Sequence, residues 1–282
     1  MTQLITDKPT LASLLIQWRQ HGESSALVPT MGSIHAGHLA LIQTARTLAD
    51  HVIVTIFVNP TQFAKGEDFE LYPRTLDADM AAIQTAGGAD VIFAPQTMYA
   101  PDHATNIIPA GVALDLETEQ RPHFFTGVAT IVMKLFMQVP TDIAIFGEKD
   151  YQQLAVIRQM VRDLDVPVDI INHPTVREHD GLALSSRNSY LTADQRELAP
   201  LLYATLCDVA GDIHDGHDPS SRIDMAINKL VGAGFDNIDY FELRDGNNLA
   251  TVKTPEPENR LLIAARLGET RLIDNIALGR HT

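Results

Sequence analysis

The residues of this chain best placed to do chemistry are two histidines, His35 and His38, in the stretch Val28-Pro29-Thr30-Met31-Gly32-Ser33-Ile34-His35-Ala36-Gly37-His38-Leu39. An apolar, β-prone segment, Ala26-Leu27-Val28, runs into Pro29 and Gly32, which punctuate a turn. Beyond Gly37, the residues Leu39, Ile42, Ala45 and Ala49 recur at helical spacing. The pair therefore sits where a strand gives way to a helix. Free N–H groups and the positive end of the helix dipole favour an anion there. If the helix begins near His35, the two imidazoles share one face. That arrangement suits chemistry on a nucleoside triphosphate. Taken alone, His-x-Gly-His also fits a metal half-site or a solvated helix start; the strand–turn–helix context favours the first reading.

Other side chains could complete such a site. Lys149 follows an apolar strand and opens a helix, and Ser185-Ser186-Arg187 offers two hydroxyls and a guanidinium in a polar loop. Two histidines, a lysine and an arginine could stabilise charge building on an α-phosphate as pyrophosphate is displaced. For Lys149 the alternative is a solvated surface lysine, and for the serine–arginine run an ordinary polar connection. Gln62 and Gln153 do not titrate, but each presents an acceptor and a donor pair to a hydroxyl-rich substrate, if they are not surface glutamines. Asp79, early in a helix, could reach a magnesium ion or its waters, or simply complement the helix dipole.

These groups need a scaffold, and the apolar pattern supplies one. A helix is expected over Thr10–Gln20, then the strand, turn and helix above. His51–Val58 reads as a strand buried on both faces, ending in the polar loop Asn59-Pro60-Thr61-Gln62-Phe63. A helix over Leu76–Ala86 stops at Gly87-Gly88, and Ala89–Ala94 is a further strand. Residues 96–126 carry no sustained period. An apolar helix follows Gly127, then strands over Asp142–Phe146 and Val168–Asn172 with a helix between them. Alternating strands and helices imply an α/β, doubly wound, Rossmann-like parallel sheet, whose ligands bind beyond the carboxyl ends of the strands. His35 and His38, Asn59 and Gln62, and Glu148 to Asp150 all follow such ends. Neither the Gly-x-Gly-x-x-Gly of dinucleotide folds nor a P-loop is present, which points from hydride and kinase-type transfer towards adenylyl transfer. After Pro174 the pattern changes to a smaller α+β region: Thr192 is a helix N-cap, Pro200 splits that helix, Ser221–Val231 is a further helix, and Asn237–Arg244 and Arg260–Leu267 are strands. The expected division is residues 1–174 and residues 175–282.

Composition bounds the partners. The 282 residues carry a formal net charge of −15, against a dedicated nucleic-acid or anionic-membrane binder. There is one cysteine, Cys207, so no internal disulfide forms; it is expected as a buried small hydrophobe on a helix. No signal peptide and no membrane span is read, and a cytoplasmic protein is expected.

The blocks LVPTMGSIHAGHLALI, IFVNPTQF, YPRT, TGVATIVMKLF, FGEKDYQQLAVIRQMV, DGLALSSRN and LGETRLIDN, in that order across nearly the whole chain, resemble the pantothenate synthetases. The resemblance implies an ATP-dependent ligase that joins pantoate to β-alanine through a pantoyl adenylate. It implies Mg2+ with ATP, a homodimer, and a C-terminal domain acting as a lid. It places Met31, Gly32, Ser33, Ile34, His35, Ala36, Gly37 and His38 on ATP, with His38 as proton donor. Gly147, Glu148, Lys149, Asp150, Val176, Leu184, Ser185, Ser186 and Arg187 complete the nucleotide site. Gln62 and Gln153 hold pantoate, Gln62 also borders β-alanine with Asn59 in the same loop, and Asp79 stands at a magnesium position. Three residues depart from the family pattern. Ala36 replaces an acidic residue between the histidines, and Ala78 replaces a second carboxylate. In Arg121-Pro122-His123-Phe124-Phe125 a phenylalanine stands where the family has histidine. The rival readings are a nucleotidylyltransferase that stops after AMP transfer, and a nucleotide-binding sensor without catalysis.

Overall fold

The computed structural model describes residues 2–64 and 66–279. The chain divides into two compact units, Met1–Glu148 with Gln152–Pro174, and Lys149–Tyr151 with Thr175–Thr282. Lys149–Tyr151, which the sequence pattern groups with the first part of the chain, thus packs with the C-terminal residues.

The first unit contains, in order, β1 (Gln3–Ile5), α1 (Lys8–His21), β2 (Ser25–Thr30), α2 (Ala36–Leu48), β3 (His51–Ile56), α3 (Leu76–Thr85), β4 (Val91–Phe93), α4 (Glu117–Gln120), α5 (Phe124–Gln138), β5 (Ile143–Gly147), α6 (Tyr151–Asp163, its first residue excepted) and β6 (Asp169–His173). The six strands form one parallel sheet in the order β1-β4-β3-β2-β5-β6. This is the Rossmann-like sheet expected from the alternating pattern. The order reverses between β2 and β5, so the turns that leave those two strands border the crevice where such sheets bind ligands. β1 carries only three residues and is not foreseen, because so short a run has no readable period. Pro29 lies inside β2 opposite Thr55 rather than in the turn. β5 pairs with β2 only at Ala26 and Leu27, so no ladder on that side calls for the N–H that proline lacks. Ala26, Val28, Val52, Val54 and Ile92 are all buried, with Ile42, Ala45 and Ile83 of the flanking helices packed among them. The 96–126 region holds a short helical turn at Gly111–Ala113 and α4, and is otherwise irregular up to the start of α5.

The second unit contains α7 (Ala193–Leu198), α8 (Leu201–His214), α9 (Pro219–Ala233), β7 (Asn237–Arg244), β8 (Arg260–Leu267) and β9 (Thr270–Ala277), the strands forming an antiparallel sheet β7-β8-β9. Pro200 separates α7 from α8, as expected of a residue that cannot continue the hydrogen-bond ladder. β9 is the second unforeseen strand; it pairs with β8 through the two-residue turn Gly268-Glu269. Leu202, Leu206, Val209 and Leu230 of α8 and α9 pack on Phe241, Leu261, Ile263 and Leu272 of the sheet. Cys207 is exposed, which corrects the buried placement expected for it. α8 turns Leu202, Leu206 and Val209 inward, and Cys207 falls on the opposite face. Among the described residues no helix is long and apolar enough to cross a membrane.

Thr192 caps α7: its Oγ1 accepts from the Gln195 N–H at 3.3 Å, and Gln195 Oε1 accepts from the Thr192 N–H at 3.0 Å. Thr192→Ala removes one half of this reciprocal box and is expected to lower stability by about 1 kcal/mol. Denaturant unfolding checks this; an unchanged midpoint would mean that packing alone holds the start of α7.

Candidate active site

The turn after β2 is shaped by one buried carboxylate. Asp79, on the first turn of α3, is 3% exposed. Its Oδ2 accepts from the Ser33 N–H at 3.1 Å, and its Oδ1 accepts from the Ile34 N–H at 2.8 Å and from Thr75 Oγ1 at 3.2 Å. Gly32 adopts a left-handed φ of 85°, and a Cβ there would lie 2.9 Å from Asp79 Oδ2. Glycine is thus required twice over, by conformation and by space. Ser33 is also left-handed, with φ 52°. The family resemblance puts Asp79 at a magnesium position; the structure instead gives its carboxylate the task of holding the Gly32–Ile34 turn. The reason is proximity: α3 packs its first turn under the backbone N–H groups that β2 delivers.

His35 is the N-cap of α2 and His38 its third residue. His35 Nδ1 accepts from the Gly37 N–H at 3.1 Å, and His38 Nδ1 accepts from the His35 N–H at 3.4 Å. This is a capping box built from two imidazoles. In a neutral ring whose Nδ1 accepts, the proton resides on Nε2. Backbone geometry therefore sets both rings in the tautomer that donates from Nε2. The rings stack with centroids 4.1 Å apart. Ala36, where the family carries an acidic residue, is exposed at the first helical position and takes no part in the cap.

The turn after β3 carries Asn59 and Gln62. Asn59 is 1% exposed, and its side-chain polar atoms are engaged within the protein. Its Nδ2 donates to Gln62 Oε1 at 3.0 Å and to Gly127 O at 3.3 Å, and its Oδ1 accepts from Tyr99 OH at 2.8 Å and Thr61 Oγ1 at 3.0 Å. Burial pushes the Tyr99 hydroxyl above its ordinary value, so it keeps the proton it donates. Asn59, expected from the sequence beside the substrate, orients Gln62 through its Nδ2 bond. Gln62 is half-buried, its Nε2 3.3 Å from Met31 Sδ. Arg121, which the family resemblance carries over more safely than His123, donates from Nη2 to Gln62 O at 3.1 Å and forks onto Glu67 at 2.7 and 2.8 Å. Its guanidinium lies 3.8 Å over the ring of Phe124. The phenylalanine that replaces the family histidine is thus a platform for Arg121, while His123 is exposed.

The two neighbouring glutamines of α6 have separate tasks. Gln152 is buried; its amide donates to the carbonyls of Val112, Leu114 and Asp115 and accepts from the Glu117 N–H. It fixes the irregular 112–117 segment. Gln153 is half-buried one position along the helix. Glu148, expected on the nucleotide, is 5% exposed and accepts from Asn172 Nδ2 at 2.5 Å. Its carboxylate braces β6 through that bond.

In the second unit, the Lys149 ammonium lies 3.7 Å from Asp150. Residues 176–184 form a small hairpin, with the Leu184 N–H on Val176 O at 2.9 Å and the Glu178 N–H on Leu182 O at 2.8 Å. Ser185 caps the helical turn that follows, its Oγ accepting from the Arg187 N–H at 3.2 Å. Asn188 ties that turn back to the hairpin through Ala183 O at 3.0 Å. Val176, Leu184, Ser185, Ser186 and Arg187 thus stand on tightly bonded turns at hairpin ends, and in the first unit Gly147 closes β5.

A Rossmann-like sheet with a two-histidine helix cap at its switch point defines a nucleotide-binding α/β protein of the His-x-Gly-His type. A family model described as pantoate-beta-alanine ligase matches residues 3–277. The chain is 48% identical over 282 residues to the pantothenate synthetase of Dinoroseobacter shibae, covering 99% of this chain and 100% of that protein. It is 49% identical over 279 residues to that of Sphingopyxis alaskensis, with coverage of 98% and 100%. Among solved structures, the pantothenate synthetase of Thermus thermophilus matches with a TM-score of 0.90 at 40% identity, covering 99% of this chain and 100% of that one. The Francisella tularensis pantoate-beta-alanine ligase, solved in complex with beta-gamma ATP and beta-alanine, matches with a TM-score of 0.84 at 32% identity, with coverage of 100% and 99%. The chain belongs to the pantoate–β-alanine ligase family.

Gly127 in α5 supports the Gln62 turn by close approach: a Cβ there would fall 2.4 Å from Thr61 O and 2.8 Å from Gln62 N. Gly127→Ala would favour the isolated helix by about 1 kcal/mol. The clash is expected to reverse that sign and destabilise the protein by about 1–3 kcal/mol. Thermal or denaturant unfolding reads the outcome; a stabilised variant would show that the turn yields freely.

Proposed function

We infer that this chain condenses pantoate with β-alanine, using ATP, to give pantothenate, AMP and pyrophosphate, a step in making the coenzyme A precursor. The observation that carries the reading is the double imidazole cap at the start of α2, beside the sheet's switch point. With each Nδ1 accepting from the backbone, Nε2 carries the ring proton at a helix N-terminus, a place that favours phosphate.

In the first step a carboxylate oxygen of pantoate attacks the α-phosphorus of ATP. The P–O bond to the β-phosphate breaks, and pyrophosphate leaves with the bonding pair. His35 and His38 stabilise the charge on the α-phosphate oxygens, with His38 as the proton donor. Lys149 and Arg187 meet the charge on the polyphosphate, and Ser185 and Ser186 add hydroxyl donors. The Met31–His38 turn, Gly147–Asp150, Val176 and Leu184 line the nucleotide. In the second step the amine of β-alanine attacks the carbonyl carbon of pantoyl adenylate. The C–O bond to AMP breaks, and the nitrogen loses a proton as the amide forms. Gln62 and Gln153 hold pantoate, and Gln62 also borders β-alanine. Fixed by Asn59 and Arg121, Gln62 needs little ordering when substrate arrives, which favours the reactive alignment.

Mg2+ is the ion expected with ATP, but the protein's donor set does not build a cage for it. Asp79 is buried and bonded to three donors, Ala78 offers no ligand, and among the described residues no three His, Cys, Asp or Glu side chains converge on one point. No step above depends on a protein-held metal. The working assembly proposed is a cytoplasmic homodimer, without nucleic-acid or membrane partners.

ATP–pyrophosphate exchange, measured with pantoate and without β-alanine, tests the reading. Exchange that requires pantoate is expected, and its absence in an enzyme fully active with all substrates would remove the free adenylate. In the same assay His38→Asn keeps an acceptor near the Nδ1 place but loses Nε2–H. It is expected to slow exchange by roughly a hundredfold with little change in thermal stability. Loss of stability with an unaltered rate would make His38 a cap and nothing more. Asp79→Asn replaces one acceptor by a donor facing a backbone N–H, and is expected to lower both stability and exchange. Excess Mg2+ should not restore the rate; full recovery with Mg2+ would return Asp79 to the metal.

A further inference from the structure

The Leu272-Ile273-Asp274-Asn275 run of β9 takes no part in the chemistry above, yet its polar pair is buried, Asp274 at 4% and Asn275 at 3% exposure. Consecutive strand residues point to opposite faces of a sheet, so the two can serve different segments. Asp274 lies opposite Ile263, on the face that packs against α8. There it receives both arms of Arg177, Nη1 to Oδ2 at 2.6 Å and Nη2 to Oδ1 at 2.9 Å. Arg177 also donates to Gly181 O at 3.0 Å and lies 3.7 Å over the Tyr203 ring of α8. Gly181, at φ 92°, packs so tightly on that ring that a Cβ would come within 2.4 Å of it. The hairpin leading to Ser185, Ser186 and Arg187 is thereby pinned to β9. Burial pushes the Asp274 carboxyl up from its ordinary value, and the Arg177 guanidinium draws it part of the way back.

Asn275 points to the other face. Its Nδ2 donates to Lys149 O at 2.9 Å, and its Oδ1 accepts from Arg260 Nη1. Arg260 lies 3.8 Å over the ring of Tyr151, whose hydroxyl donates to Gly246 O at 2.6 Å. The Lys149 peptide is therefore bonded to β9 directly, and Tyr151, two residues on, is clamped from two sides.

We propose that Asp274 and Asn275 are positioning residues for the nucleotide chemistry, Asn275 through the Lys149 peptide and Asp274 through Arg177 and the hairpin that carries Arg187. One strand then sets the places of both cations. The proposal rests on the reading of Lys149 and Arg187 as phosphate-facing groups.

Asn275→Asp keeps the shape and the acceptor for Arg260, but sets an oxygen against Lys149 O. In pantoate-dependent ATP–pyrophosphate exchange the variant is expected to lose roughly tenfold or more in kcat/KM for ATP, with the KM for pantoate changed by less than about twofold. A double-mutant cycle with Lys149→Ala separates positioning from general weakening. Once the ammonium is gone, Asn275→Asp should cost no more than about twofold further, whereas a merely structural role would multiply the two losses. If Lys149→Ala abolishes exchange while Asn275→Asp leaves it at the wild-type level, or if the losses multiply, the proposal is overturned and the phosphate reading stands. If Lys149→Ala leaves exchange intact, that reading fails and the proposal with it. Should Asn275→Asp not fold, Asn275→Ala enters the same cycle. Asp274→Asn against Arg187→Ala is judged by the same criterion.

Discussion

The hydrogen bonds from the Ser33 and Ile34 N–H groups to the Asp79 carboxylate are the constraint on which the nucleotide end of this protein depends. A chain leaving a parallel strand for a helix must hide or satisfy several backbone donors within a few residues. Asp79 satisfies two of them from below, and only glycine at position 32 lets the backbone come close enough. With the turn held there, His35 arrives as the N-cap of α2. The helix then needs acceptors for its first N–H groups, and the two imidazoles supply them through Nδ1. Orientation and tautomer follow from helix capping. The same residues thus end the strand, start the helix and aim two donors.

The logic recurs at the second strand end. Asn59 is a buried amide with four close partners, and losing any of them would leave a polar group unsatisfied in a dry place. That cost fixes Gln62 relative to α5 without any contact from substrate. Arg121 adds a second hold, its charge shared between Glu67 and the face of Phe124. Phe124 suits this place because a cation accepts a π face as well as a hydrogen-bond partner. In the C-terminal unit, β9 does for Lys149 and the Arg187 hairpin what α3 does for the histidine turn. Buried polar side chains on regular elements set the loops that carry function.

The strands and helices legible in the sequence are those with long periods. β3, α5, β5, α6 and β8 carry apolar repeats that only a core can use. β1 is invisible because three residues on a sheet edge carry no pattern, and β9 because its alternation is broken by buried charge at Asp274. Cys207 is misplaced because it follows Leu206 in an apolar helical pattern, while α8 turns it, with Asp208, to the exposed face. The histidines, Lys149, Arg187 and Gln62 stand out by residue type and by position after strands. Their supports, Gly127, Gln152 and Asp274, do not, since each acts across a gap in sequence that no local spacing encodes.

The sequence by itself determined the order of the longer elements, the α/β class, the absence of glycine-rich phosphate loops, and the family, because periodicity and ordered motifs are local and survive without coordinates. It also named the residues with chemistry to offer. Only the tertiary structure decided what each polar group is used for. Asp79, Asn59 and Glu148 have the right types to touch ligand, and in the folded chain they are buried with hydrogen bonds to backbone groups and nearby side chains. Burial and partner choice are properties of the packed chain: whether a carboxylate meets a metal, a substrate or an N–H group depends on which element folds over it.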